Sequence, residues 1–432
     1  MKRKLFDDWN VYIEASSSSH PSDDVISFRS HATGKDVALE SSLAHQPPGI
    51  RSAAVAAGVK HPGVLDFTVV RMEHPGSAAA VFTKSLCPSY AVQYGREVLA
   101  DGRAQALAVV SKNANVFTPT GAEDVRTLAR WVAEEIGVEP NDLLVSCTGV
   151  IGMPLPMEKL RAAVHGISGA LRPGALDDSS RAILTTDRGP KVCSVRVGDV
   201  VVCAMAKGAG MIEPHMATML VYFFTNADLD GPALRSILAS AVERTFNSIS
   251  VDSDTSTSDT VAIFSTRRAP LDAQARLDFE DAICAMSLKL ARDVVAQSEG
   301  ATKLIECTVR LDTSARDAKL QAKKIVNSPL VKTAVHGGDP NWGRLVMAIG
   351  KPDERLGLAA LAPTDVVIQM MGQVLFSRSA PVATDLAALA RRIKESSRIA
   401  IDVTIGHGTH SATVWGCDLS RGYVDINSEY MT

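Results

Sequence analysis

Lys207-Gly-Ala-Gly-Met-Ile-Glu-Pro-His-Met-Ala-Thr218-Met-Leu-Val-Tyr-Phe-Phe-Thr225 sets a glycine-containing loop against an unbroken apolar run. The run from Met219 to Thr225 reads as a buried strand. Thr218 stands at its head, behind the small Ala217, with a lysine and a flexible glycine pair upstream. A threonine hydroxyl is a poor nucleophile unless a neighbouring group takes its proton. An internal threonine has no amine, whereas an N-terminal one carries an α-amine with an ordinary pKa of about 7.7–8.0. That value lies close to operating pH, where proton transfer is most efficient. The pattern suits a chain cut before Thr218, whose freed amine becomes the base for its own hydroxyl. An ordinary β-branched strand residue fits the same pattern without any chemistry. No Gly-x-Ser-x-Gly elbow competes elsewhere in the chain.

Working outward, 432 residues exceed what one core usually holds, so two domains or one unusually large one are expected. A hydrophobic content of 46% with 22% charged residues is that of an ordinary globular protein. A net charge of −3 gives no electrostatic case for nucleic acid. The apolar runs are too short to span a bilayer. The opening Met1-Lys-Arg-Lys-Leu-Phe-Asp-Asp-Trp9 has positive charge but no apolar stretch behind it, so a cytoplasmic protein without a signal peptide is expected. Seven scattered cysteines with no Cys-x-x-Cys pair suggest neither a disulfide framework nor a structural zinc site. His407 and His410 sit among Gly406 and Gly408, a turn rather than a metal site, and no metal is expected.

Residues 1–48, with Ser16–Ser19 and Pro47-Pro48, read as an arm that is poorly structured and lacks its own core. Beyond Gly49, strands and helices alternate. Ala106–Val110 and Leu143–Ser146 are strand-like, and Ala122–Ile136 between them is an amphipathic helix stopped by Gly137. Cys193–Met205 reads as a hairpin turning at Gly198-Asp199. A helix begins near Pro232, a second runs from about Phe279 to Gln297, and alternating strands flank the Gly406–Gly408 turn. The class is α/β with antiparallel and mixed pairing.

Three further segments carry chemical potential. Ser146-Cys-Thr148-Gly149-Val-Ile-Gly152 follows a strand and can offer a backbone N–H and a hydroxyl to a developing oxyanion, or simply turn. Val251-Asp252-Ser-Asp254-Thr-Ser-Thr-Ser-Asp259-Thr-Val261 alternates acids like a calcium loop but lacks its glycine and terminal glutamate. A polar loop lining a site, or a turn satisfied by its own side chains, fits better. His336-Gly-Gly-Asp-Pro-Asn341-Trp-Gly-Arg344 is either a rigid loop at a site or interface, or a connecting turn.

In order along the chain, Ala78–Thr83, Cys147–Gly152, Thr185-Thr-Asp187 with Pro190-Lys191, Lys207–Ile212 and Ala217–Leu220 resemble the ornithine acetyltransferase (glutamate N-acetyltransferase) family. The resemblance continues through Asp254–Thr260, Glu299-Gly-Ala-Thr-Lys303, Asp339–Arg344 and Asn427–Thr432. It implies an αββα sandwich with a smaller C-terminal domain. It also implies self-cleavage at Ala217–Thr218 into an α chain (residues 49–217 of the catalytic domain, behind the arm) and a β chain (218–432), associated as α2β2. Thr218 would take the acetyl group from N-acetylornithine and pass it to glutamate in a ping-pong cycle with no cofactor. Thr148 and Gly149 would form the oxyanion hole. Thr185, Thr186, Lys207, Thr218, Glu299, Asn427 and Thr432 would bind the substrate, Lys207 suiting a carboxylate and Glu299 an ammonium.

The chain departs from the biosynthetic pattern at Glu213-Pro-His215 and at Val110-Ser-Lys112-Asn-Ala-Asn115, and resembles most the secondary-metabolism branch found beside clavulanic acid genes. His215 suits either assistance to cleavage or a plain loop. The same acetyl-threonine attacked by water would make an N-acyl amino acid hydrolase, another acceptor would make a secondary-metabolism acyltransferase, and an uncleaved chain would be a scaffold.

Overall fold

The computed structural model describes residues 2–18, 20–213, 219–356 and 361–429. The stretch ahead of Gly49 is structured, contrary to the sequence expectation. Four strands, β1 (Lys2–Lys4), β2 (Val11–Glu14), β3 (Val25–Arg29) and β4 (Asp36–Ala38), form an antiparallel meander. The segment has too few apolar residues for a core of its own. Val11, Ile13, Ile26 and Phe28 nevertheless alternate onto one face, and that face joins the main core.

The central sheet holds β5 (Ile50–Val55), β6 (Phe67–Phe82), β7 (Arg103–Asn113), β8 (Leu143–Val150), β9 (Lys191–Val197), β10 (Val200–Lys207), β11 (Leu220–Ala227) and, after the short β12 (Ile249–Ser250), β13 (Thr260–Ala269). Its order is β8-β7-β6-β13-β11-β10-β9, with β5 also on β6. The sixteen-residue β6 belongs to two halves: its first residues pair with β5 and β7, its last with β13. The register breaks between Arg71 and Gly76. A Cβ at Gly76 would lie 2.1 Å from the Ser265 carbonyl oxygen, so only glycine allows this close crossing.

The two halves pack face to face. Every residue of β11 is buried, and its side chains divide between two cores. Leu220, Tyr222 and Phe224 meet Phe67, Val69, Val145 and Cys147 of the other half, and the Phe224 and Phe264 rings stack 5.5 Å apart. Val221 and Phe223 face outward onto helices. The first half is covered by α1 (Tyr90–Val98) and α2 (Gly121–Ile136), with α3 (Met157–Val164), α4 (Ile167–Ala170) and α5 (Leu176–Ala182) completing that side. The second half is covered by α6 (Gly231–Arg244) and α7 (Ala273–Ala296). The layers run α, β, β, α. From Asp281 onward helix α7 is buried on all sides, the N-terminal meander covering a face that the central sheet does not.

The C-terminal unit has its own core. Strands β14 (Leu304–Leu311), β15 (Val366–Met370), β16 (Gln373–Ser377), β17 (Ala380–Pro381), β18 (Arg398–Ile405) and β19 (His410–Cys417) form a sheet in the order β12-β19-β14-β18-β15-β16-β17. Helices α8 (Ala315–Val326), α9 (Pro329–Gly337), α10 (Trp342–Ile349) and α11 (Leu386–Glu395) accompany it, and α12 (Arg421–Glu429) returns to the central sandwich. Strands β18 and β19 flank the glycine turn but do not pair, because β14 lies between them. The 336–344 segment is the corner between α9 and α10: Asn341 caps α10 and Trp342 stacks on Phe376. Among the described residues no helix is long and apolar enough to cross a membrane.

Candidate active site

The register of the central sheet sets Lys207 of β10 beside Leu220 of β11, Leu220 beside Thr260 of β13, and Thr260 beside Phe82 of β6. At this end of the sheet lies a cavity of ≈ 430 Å³. Thr148, Gly149, Thr185, Thr186, Lys207, Glu299 and Asn427 all line it. These are seven of the residues singled out from the sequence. Ala217, Thr218, Thr432 and His215 lie outside the described residues. A roomier cavity of ≈ 590 Å³ lies in the C-terminal unit among Trp342, Val346, Leu361 and Phe376 and holds none of the expected catalytic or substrate-binding residues.

Each wall has a local reason. Gly149 closes β8 at φ 135°, and a Cβ there would lie 2.2 Å from the Lys112 carbonyl carbon, so the position admits only glycine. Lys207 is buried and donates to Thr185 Oγ1 at 3.1 Å. Asp187 ties this corner together. Its Oδ1 accepts from Lys191 Nζ at 2.7 Å and from the Gly208 amide at 2.7 Å, and its Oδ2 accepts from the Thr185 amide at 3.0 Å. Burial alone would raise the Asp187 pKa, but the ammonium groups of Lys191 and Lys207 outweigh it and hold the carboxyl well below the usual range. Burial pulls Lys207 below the ordinary lysine value, against the opposing pull of Asp187 and Asp259.

Across the cavity, Glu299 receives the Asn427 side-chain amide at 2.9 Å. A Cβ at Gly210 would come within 2.3 Å of Glu299 Oε2, so this carboxylate lies flat on the glycine loop. Gly300, at φ 65°, lets α12 approach: a Cβ there would lie 2.1 Å from the Tyr423 amide.

The 251–261 segment forms the remaining wall, as the reading of a site-lining polar loop anticipates. Asp252 accepts from the Met211 and Ile212 amides at 2.6 and 2.7 Å, so its oxygens serve the glycine loop. Burial raises its pKa, in opposition to those two bonds. Glu213 is clamped as well. Ser250 Oγ donates to it at 3.1 Å, the Asn327 amide also donates, and Lys323 Nζ lies 3.6 Å away. Asp252, Asp254, Met211 and Tyr423 line the cavity without having been singled out as substrate contacts. Tyr423 had a usable signal, since it precedes Asn427 by one helical turn.

The arrangement offers a lysine ammonium and a hydroxyl on one side, carboxylates on the other, and a glycine-bearing strand end between, at the head of a strand fixed on both faces. The ArgJ family profile matches residues 51–432. The chain is 42% identical over 369 residues to the arginine biosynthesis bifunctional protein ArgJ 2 of Nostoc sp., covering 85% of this chain and 93% of that one. It is 40% identical over 405 residues to the glutamate N-acetyltransferase Oat2 of Streptomyces clavuligerus, covering 91% of this chain and 100% of that one. A crystal structure of ornithine acetyltransferase complexed with ornithine from Mycobacterium tuberculosis aligns at 35% identity over 41% of this chain and 98% of that one, with a TM-score of 0.39.

Proposed function

The chain belongs to the ArgJ family, and we propose that it is a self-cleaving acetyltransferase moving the acetyl group of N-acetylornithine, or a related N-acetyl amino acid, to glutamate. The observation that carries this reading is the convergence of Thr148, Gly149, Lys207, Glu299 and Asn427 on one cavity at the head of β11.

In maturation, Thr218 Oγ attacks the Ala217 carbonyl carbon, the C–N bond breaks, and the acyl group passes to oxygen. Water then hydrolyses that ester, leaving an Ala217 carboxylate and a free Thr218 amine. The pieces, residues 1–217 and 218–432, remain one particle and associate as α2β2 in the cytoplasm. In the transfer reaction the amine takes the Oγ proton as Oγ attacks the acetyl carbonyl. Thr148 and the Gly149 amide hold the oxyanion. The proton passes to the departing ornithine nitrogen as the C–N bond breaks, and an acetyl ester remains on Thr218. The glutamate amine attacks this ester, gives up its proton to the Thr218 amine, and the C–O bond breaks with return of that proton to Oγ. Lys207 meets the substrate carboxylate, Glu299 and Asn427 its distal ammonium, and Thr185 or Thr186 and Thr432 complete the contacts.

Purified protein given N-acetylornithine with and without glutamate tests this. Ornithine and N-acetylglutamate should form in equal amounts, with rapid ornithine release only when glutamate is present. Ornithine and free acetate released equally fast without glutamate would make the enzyme a hydrolase.

A further inference from the structure

Helix α12 lays Tyr423 over the bare backbone of Gly300 and, one turn on, brings in Asn427. With Asp252, Asp254 and Glu299, these two residues form the end of the cavity across from Lys207. Acceptors are plentiful there. Asp254 is exposed, and its carboxylate makes no hydrogen bond among the described residues. Glu299 commits one oxygen, to Asn427. Donors are scarce. Both N–H groups of the Asn427 amide are taken, by Glu299 Oε2 and by the Tyr423 carbonyl, each at 2.9 Å. The Met211 and Ile212 amides serve Asp252, and the Thr255 hydroxyl serves the Glu213 carbonyl. Tyr423 is half-buried, and its hydroxyl has no hydrogen-bond partner among the described residues. Burial holds its pKa well above the ordinary tyrosine value, and the Asp252, Glu299 and Asp254 carboxylates act in the same direction, so it keeps its proton.

We infer that Tyr423 is a specificity-determining residue that lets one pocket take two amino acids of opposite side-chain charge: its oxygen accepts an N–H from the distal ammonium of the acetyl donor, and its O–H donates to the distal carboxylate of glutamate. The inference rests on the ping-pong reading. There a single nucleophile serves both half-reactions, so both amino acids turn their α-nitrogen to it and their α-carboxylate to Lys207. Their side chains are similar in length, end in opposite charges, and reach the same end of the cavity. An ammonium is attracted there by Asp254 and Glu299. A carboxylate meets the same two groups and is rejected unless a donor intervenes. A phenolic hydroxyl both donates and accepts, and it rotates about its C–O bond to do either. Among the Asp252, Asp254, Glu299, Asn427 and Tyr423 side chains, only the Tyr423 hydroxyl combines an uncommitted proton with an acceptor oxygen.

The test uses the separateness of the two half-reactions: kcat/KM for N-acetylornithine reports the first and kcat/KM for glutamate the second. Tyr423→Phe keeps the ring and removes the hydroxyl, and circular dichroism and melting establish that it folds. The expected result is a kcat/KM for glutamate lowered about tenfold or more, the loss of one hydrogen bond to a charged group, with the N-acetylornithine constant within about twofold of the natural value. Asp254→Asn is the second variant, and its side chain has no bond to lose. It should reverse the pattern, lowering the N-acetylornithine constant while the glutamate constant holds or rises. Equal losses in both constants for Tyr423→Phe, as a merely structural role would give, or an unchanged glutamate constant, overturn the inference and leave the Thr218 mechanism standing. Donor and acceptor constants that move together in Asp254→Asn do the same. Ornithine and acetate released from the natural protein equally fast without glutamate would instead sink the transferase reading, and this inference with it.

Discussion

At the scale of single residues, the site is a problem of buried charge. Lys191 and Asp187 have fully buried side chains, and neither would survive burial without the other. Asp187→Ala leaves Lys191 buried and unpaired and frees the Thr185 and Gly208 amides. Urea unfolding should show a loss of about 3–5 kcal/mol. The sign of the pH dependence follows from the depressed Asp187 pKa. The stabilisation is complete above its ordinary value of 3.8 and is lost as pH falls below that value. Asp187→Asn should therefore flatten the stability curve in acid, whereas an unchanged curve would assign the acid sensitivity elsewhere. Asp187 is visible in sequence only as part of Thr185-Thr-Asp187. Nothing in that triplet says that a loop 21 residues further on will place the Gly208 amide on the same oxygen.

At the scale of elements, what could be read from the sequence depended on whether a segment carries its own signal. Helix α2 begins at Gly121, one residue ahead of the expected Ala122, and ends at Ile136 as expected, with Gly137 at φ 68° as the left-handed stop. The β9–β10 hairpin turns at Gly198-Asp199 as expected. Strand pairing between distant segments has no such local mark. The insertion of β14 between β18 and β19 joins residues about 100 positions apart, and the meander of residues 2–38 is stable through a helix that starts at Ala273. Helix α12 is positioned in the same non-local way, by the bare backbone of Gly300 under Tyr423. Gly300→Ala should displace α12 and break the Asn427–Glu299 contact. The expectation is a rise in KM for the amino-acid substrates of about tenfold, the equivalent of one hydrogen bond, with kcat little changed. Steady-state kinetics that showed an unchanged KM would remove α12 from the substrate contacts.

At the scale of the whole molecule, the proposed cut falls between adjacent strands of one sheet. Strand β10, ahead of it, pairs with β11 over six residues from Val202↔Thr225 to Lys207↔Leu220, and β13, behind it, pairs with β6. Both cores are shared across the cut, since Met205 and Tyr222 lie in one and Ala204 and Phe223 in the other. Cleavage therefore costs little cohesion, and the two pieces are expected to travel as one particle. The strands and helices follow from apolar runs the sequence displays, whereas their stacking into a sandwich was implied only by the family resemblance. The cavity depends on six separate segments, helix α12 among them, arriving at one sheet end, which only the folded chain reveals. The proposed chemistry requires that Thr218 free its own amine. Denaturing intact mass of the freshly purified protein, beside its Thr218→Ala variant, tests that directly. Two masses summing to the full chain plus one water, broken at Ala217–Thr218, are expected for the natural protein and a single full-length mass for the variant. A single mass for a natural protein that is active in acetyl transfer, or two masses for the variant, would contradict it.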